Sequence, residues 1–191
     1  MTEARIHIGP LNRSQEDLLR WVPPADADRV TCGMLSAGYG SGKSWGCALR
    51  FARDVLSIRP WDPDVPHRPQ PKAIVISPTF SNLASNIMPM LERILGPVIV
   101  TRRVTPTPWW TLHNGVRIEF YSLGSLVDGM SALVMWIDEV THFRLLESPA
   151  IWRRLLGRLR GFRGERKTLI VSGIAAMHPV IRERFHRPDD P

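Results

Sequence analysis

Residues 37–44 read AGYGSGKS, with Gly38, Gly40 and Gly42 around Tyr39 and Ser41 and with Lys43 and Ser44 closing the run. A strand is expected just before it, over Val30–Ser36, and a helix just after it, over residues 43–58. A glycine-rich turn that leaves a strand and opens a helix is the setting a phosphate-binding loop requires. The three glycines let the backbone turn its N–H groups inward around a β-phosphate, and the helix N-terminus adds partial positive charge. Lys43 then bridges β- and γ-phosphates. Ser44 offers a hydroxyl to Mg²⁺, an ion that keeps several waters and takes few protein ligands. Ala37 stands where the usual statement of the motif has Gly. The plain alternative is a glycine turn without nucleotide, and the strand-to-helix setting weighs against it.

A second stretch, ALVMWIDEV over residues 132–140, reads as a buried strand that delivers Asp138 and Glu139 at its carboxyl end. That is the edge at which open α/β sheets bind ligands. Asp138 is suited to the Mg²⁺ shell, and Glu139 to orienting and deprotonating a water that attacks the γ-phosphate in line. An acidic pair alone is more often a solvated strand end. Joined to the Lys43 loop it completes a Walker A and Walker B pair.

The rest of the chain fits an α/β domain. Ser14 is expected to cap a short helix over residues 15–21, ended by Pro23 and Pro24. Five prolines between Pro60 and Pro71 mark a loop. Residues 73–77 are an unbroken apolar run of strand length, and residues 81–95 have helix length and end at Gly96-Pro97. Alternating strands and helices imply a parallel sheet. Two β-rich segments within residues 109–122 flank Asn114-Gly115, a hairpin signal, so a small antiparallel excursion is expected at the sheet edge. A helix over residues 149–159, a strand over 168–172 and a last helix over 180–185 complete the pattern.

The 191 residues suit one domain, and the net charge of +7 favours an acidic partner, because Lys and Arg release counterions condensed on a phosphate backbone. Two cysteines, Cys32 and Cys47, at strand and helix positions suit a reducing compartment. No run approaches the roughly 18 apolar residues of a membrane span, no secretory signal opens the chain, and a cytoplasmic location without membrane contact is expected. No pair of the six histidines has metal-binding helical spacing, so no zinc is expected.

These motifs together resemble the N-terminal ATPase domain of phage terminase large subunits, the DNA-packaging motors, over nearly the whole chain. LNRSQEDLLRW places Gln15 where the family's adenine-reading glutamine stands. AIVISPTF, with Pro78 and Thr79, resembles the family's strand after the phosphate loop. FYSLGSLVDGMSALVMWIDEVTHF resembles its approach to the acidic strand, including the Gly129 turn, and LIVSG supplies Ser172 and Gly173 for the coupling motif. The resemblance implies a P-loop NTPase fold of the RecA-like kind, with a mainly parallel sheet flanked by helices. It implies ATP and Mg²⁺ as cofactors, and it implies that Ser172 senses the γ-phosphate. It also implies double-stranded DNA as partner, a homo-oligomeric ring, a portal and small terminase subunit, and a place in the host cytoplasm at the procapsid. Residues 1–29 would be an adenine-side segment, 30–175 the core, and 176–191 a C-terminal helix and tail. With 18 residues after Gly173, no nuclease domain is expected in this chain.

Two departures leave the charge-stabilising arginine unassigned: Tyr39 and Ser131 stand where many members have Arg. Arg102, Arg103 and Arg117 are candidates, by position, for a finger supplied to a neighbouring subunit. The run IWRRLLGRLRGFRGERK, with Arg153, Arg154, Arg158, Arg160, Arg163 and Arg166, could follow a DNA backbone without reading bases, or could be a solvated basic helix face. DEVTH, with His142, also resembles the acidic box of superfamily 2 helicases. A superfamily 1 or 2 helicase is therefore one rival reading, and a nucleotide-controlled assembly module is another.

Overall fold

Along the central strands, neighbouring side chains part to opposite faces, as the two-residue period of a strand dictates. Ala73, Val75, Val134, Trp136 and Ile170 pack into one apolar cluster, and Ile74, Ile76, Met135, Ile137, Leu169 and Val171 into another. Strands covered on both faces read as continuous apolar runs, which is why these segments carry no alternation. A computed structural model of the chain describes residues 10–21, 30–36, 40–65, 67–122, 130–142, 149–160 and 165–173. Ala37, Gly38, Tyr39, Gly129, Arg163 and the helix expected over 180–185 lie outside them.

The strands are β1 (Val30–Ser36), β2 (Lys72–Ser77), β3 (Ile99–Arg103), β4 (Trp109–Leu112), β5 (Arg117–Ser122), β6 (Val134–Ile137) and β7 (Lys167–Gly173). They form one sheet in the order β1-β7-β6-β2-β5-β4-β3. The first five in that order run parallel, and β4 and β3 add an antiparallel edge. The helices are α1 (Arg13–Arg20), α2 (Lys43–Leu56), α3 (Phe80–Asn82), α4 (Met88–Leu95) and α5 (Pro149–Leu156). Residues of α1, α2 and α4 cover the first cluster, and α5 covers the second through Trp152 and Leu155. The mainly parallel sheet flanked by helices is the one expected.

Several details differ from the expectations. The cap of α1 is Asn12, whose side chain accepts the Gln15 N–H while the Gln15 side chain accepts the Asn12 N–H. This reciprocal box satisfies two otherwise orphaned donors, which the exposed Ser14 does not. The helix expected over residues 81–95 begins one residue earlier, capped by Thr79, and contains a π-helical turn over Leu83–Ile87. The antiparallel hairpin expected around Asn114-Gly115 is present at the sheet edge as β4 and β5, with β5 also parallel to β2, and β3 extends that edge by a strand that was not expected. Ile99–Arg103 is short and mostly exposed, so no buried run announces it. Helix α5 stops at Leu156, which leaves Arg158 and Arg160 outside it.

Candidate active site

Helix α2 opens directly on Gly42, whose φ of 74° lies in the left-handed region where glycine is at ease. No side chain caps this end and its first turn holds no acid, so its leading N–H groups form an anion-attracting dipole end. Two amides of the α1 cap and first turn hold the loop from outside. Asn12 Nδ2 donates to Ser41 O at 3.0 Å, and Gln15 Nε2 donates to Gly42 O at 2.8 Å. A Cβ at Gly46 would come within 2.9 Å of Gln15 Cγ, so the glycine in the first turns of α2 makes room for this clamp. At the other end of α1, the buried Arg50 of α2 donates to the carbonyls of Leu18 and Trp21. Gln15 thus grips the phosphate-loop backbone while completing its own helix cap.

Asp138 follows β6 and its backbone N–H donates to Ile76 O of β2 at 2.9 Å. Its carboxylate, 2% exposed, collects three donors: Ser44 Oγ at 3.0 Å and Ser172 Oγ at 2.8 Å on Oδ1, and Asn82 Nδ2 at 3.1 Å on Oδ2. Trp136 Nε1 in turn donates to Ser172 Oγ at 3.3 Å. Burial pushes the Asp138 carboxyl above the usual carboxylate range, and the nearby Glu139 charge adds to this. The hydrogen bonds from Ser172, Ser44 and Asn82 pull the other way.

Glu139 is held at φ 50°, a left-handed backbone that costs a non-glycine residue about 1–3 kcal/mol and is retained where the surroundings demand it. The turn aims its side chain at the start of α2, where Lys43 Nζ lies 2.8 Å from Glu139 Oε1. The other oxygen, Oε2, is buried and has no hydrogen-bond partner among the described residues. Gly173 has a packing role beside this turn: a Cβ there would come within 2.7 Å of Val140 Cγ1 and 3.2 Å of Val140 N. The end of β7 therefore presses against the acidic turn through Gly173 and binds it through Ser172.

Lys43, Ser44, Asp138, Glu139 and Ser172 thus meet at the carboxyl ends of β1, β6 and β7, with Gln15 and Gly173 beside them. A hydroxyl and a carboxylate 3.0 Å apart form a hard-oxygen pair suited to Mg²⁺, and the unpartnered Glu139 Oε2 suits a water. Among the described residues no cluster of three or more His, Cys, Asp or Glu could hold a metal alone. Asn82, Ser77 and Trp136 were not singled out from sequence. The local signal that could have drawn attention to this turn is Thr79, a residue type that caps helices, three positions before Asn82.

The arginines lie elsewhere. Arg102 and Arg103 sit on β3, four strands from β6, or about 19 Å at the usual strand spacing. Arg102 pairs with Glu92 at 2.7 Å, and Arg103 Nε donates to Thr105 O. Arg117 begins β5 level with Lys72, at the opposite end of the sheet from Asp138. It stacks on Trp109 and lies 3.1 Å from Glu119, an ion pair whose angle falls short of a hydrogen bond. None of the three reaches the site of its own chain. Arg153 and Arg154 are exposed on α5, whereas Arg158 and Arg160 flank Ala132. Arg166 joins Arg50, Arg53 and Arg59 around a cleft of about 320 Å³ at the amino end of β6 and β7. The basic run is therefore not a single helix face. His142 is exposed.

No protein-family model matches the chain. No curated protein matches it. Solved structures do. The large terminase of a thermophilic bacteriophage, in complex with ATP-gamma-S, superposes with a TM-score of 0.57 at 19% identity, over 86% of this chain and 38% of that one. The same terminase in complex with ADP gives 0.52 at 20% identity, over 86% and 39%. The large terminase of bacteriophage HK97 gives 0.57 at 15% identity, over 86% and 33%. The chain thus spans well under half the length of these proteins. Among the described residues no helix is long and apolar enough to cross a membrane. The structural neighbours of this chain are thus bacteriophage large terminases, and it shares with them the P-loop fold of a mainly parallel sheet flanked by helices.

Proposed function

We propose that the chain is a Mg²⁺-dependent ATPase that drives double-stranded DNA into a viral procapsid. The observation that carries this reading is the meeting of Lys43 and Ser44 with Asp138, Glu139 and Ser172 at one sheet edge. Fold likeness to large terminases solved with ATP-gamma-S and with ADP supports it. The loop around Gly42 and the start of α2 bind the phosphates, with Gln15 and Asn12 keeping the loop carbonyls turned outward. Ser44 and Asp138 would hold Mg²⁺, which when bound would neutralise charge on the β- and γ-phosphate oxygens. Lys43 exchanges Glu139 for the γ-phosphate, which releases the carboxylate to take a proton from the attacking water. Ser172, bonded to Asp138 and tied through Trp136 to the core, carries the change at the γ-phosphate into β7.

An arginine for the transition state would come from another copy of the chain in a ring, with Arg102, Arg103 and Arg117 as candidates because their own site is out of reach. Arg153 and Arg154, with Arg158, Arg160, Arg163 and Arg166, are the candidate DNA contacts. A portal and small terminase subunit would be the other partners, in the host cytoplasm.

Steady-state ATP hydrolysis across protein concentrations, with and without double-stranded DNA, tests the reading. Glu139→Gln is expected to lose on the order of 10²–10⁴-fold in turnover while still binding ATP. Full turnover in that variant would sink the assignment. Exchanging Arg153 and Arg154 for Ala should lower the salt slope of DNA binding by roughly 0.9 for each phosphate that the pair neutralises. Unchanged slope and affinity would remove this surface from the DNA path.

A further inference from the structure

Asp138 is held by one side chain that the phosphate and acidic motifs leave out. Asn82 donates through Nδ2 to Asp138 Oδ2 at 3.1 Å and to Ser77 Oγ at 2.7 Å, and its Oδ1 accepts from Asn86 Nδ2 at 2.7 Å. Both donors and the acceptor of the amide are thus engaged, and the amide cannot turn without losing several bonds. The capping of this helix falls to Thr79, whose Oγ1 accepts the Asn82 N–H at 3.1 Å, so the Asn82 side chain is spared for the carboxylate. A π-helical turn, Leu83–Ile87, follows directly, and such turns are rare and concentrate at functional sites.

The last torsion of an aspartate is soft, and nothing within the residue itself fixes which oxygen faces which neighbour. Here Oδ2 is tied to Asn82, while Oδ1 faces Ser44 and Ser172. We propose that Asn82 is a positioning residue for the Mg²⁺-holding carboxylate: it pins Oδ2 so that Oδ1 stays beside the Ser44 hydroxyl, with Ser77 and Asn86 fixing the amide in turn. The inference rests on the ATPase reading above. Partners of metal-holding groups commonly change metal affinity by about 10–100-fold when removed.

The test is calorimetric ATP binding in EDTA and across a Mg²⁺ titration, for the wild type, Lys43→Ala, Asn82→Ala and Asn86→Ala, with melting curves to establish folding. Asn82→Ala should leave metal-free ATP affinity unchanged and raise the Mg²⁺ concentration for half-maximal tightening by about 10–100-fold. Asn86→Ala, at an exposed position, should shift it in the same direction by a smaller factor. A folded Asn82→Ala with a wild-type Mg²⁺ response overturns the proposal. If Asn82→Ala does not fold, the absence of any shift in Asn86→Ala does so. Failure of the parent reading looks different: the wild type would show no Mg²⁺-dependent tightening, or Lys43→Ala would bind ATP as the wild type does, and the inference would fall with it.

Discussion

The carboxyl end of the sheet and its outer edge at β3 use polar side chains in opposite ways. Around Asp138 the polar groups are buried, or half-buried at Asn82, and tied to one another in a chain that runs from Trp136 through Ser172, Asp138 and Asn82 to Ser77. On β3 the charges are exposed, and Arg102 and Glu92 are each nearly half accessible to water. The first arrangement is costly if any member is removed, because a buried donor or acceptor without a partner forfeits its solvation. The second is cheap, because water replaces whichever partner is removed. A shared network therefore identifies the part of the molecule in which geometry is under tight control, whereas a row of arginines at a free edge identifies only a charged surface.

The sharpest way to break this contrast is at Trp136, which is fully buried, packs on Phe51 and donates to Ser172. Trp136→Ala should cost about 3–5 kcal/mol in denaturant unfolding. Trp136→Phe, which keeps most of the packing and loses the N–H, should cost about 1 kcal/mol. Equal losses in the two variants would mean that the bond to Ser172 outweighs the cavity.

A second prediction concerns the charge of Asp138. Its carboxyl is raised mainly by burial, so the folded protein binds this proton more tightly than the unfolded chain, whose carboxylate titrates near 3.9, about the ordinary value. Above the folded value, ionisation lowers stability by its full amount. Between the two values the loss fades as pH falls, and below the unfolded value it is gone. The stability of Asp138→Asn relative to the wild type should therefore fall as pH is lowered through the acidic range, on top of a pH-independent cost for the carboxylate oxygen that Asn replaces with a donor. A melting difference that moves toward the variant on acidification would reverse the sign assigned here.

The smallest effect is expected on the outer edge. Arg102→Ala breaks an exposed ion pair and removes a guanidinium stacked near the Trp110 ring, and should change unfolding free energy by less than about 1 kcal/mol. A larger effect, measured by the same denaturant titration, would show that β3 is held by more than solvated charge and would erase the contrast with the site.

Much of this was open to a reader of the sequence because the decisive features are local. AGYGSGKS between a strand and a helix, ALVMWIDEV ending on two carboxylates and LIVSG ending on Ser-Gly each state their own conformation within about ten residues. Steric freedom at glycine, the continuous apolar runs of doubly covered strands and the dipole of a helix start are short-range causes, and they predicted the parallel sheet with Lys43, Ser44, Asp138 and Glu139 at its carboxyl edge. What stayed hidden depends on contacts between distant segments. Asn82 has no local mark that points 56 residues ahead to Asp138, whereas the Asn12 cap is local, with its Gln15 partner only three residues on, and needed no tertiary contact. Strand β3 exists because β4 pairs with it, and the arginines divide among α5, β3 and the amino end of the sheet because helix ends and strand order scatter them. Hydrogen-bond partners, the burial that shifts a carboxyl group and the distance from an arginine to the site are properties of packed elements, and only the tertiary structure decided them.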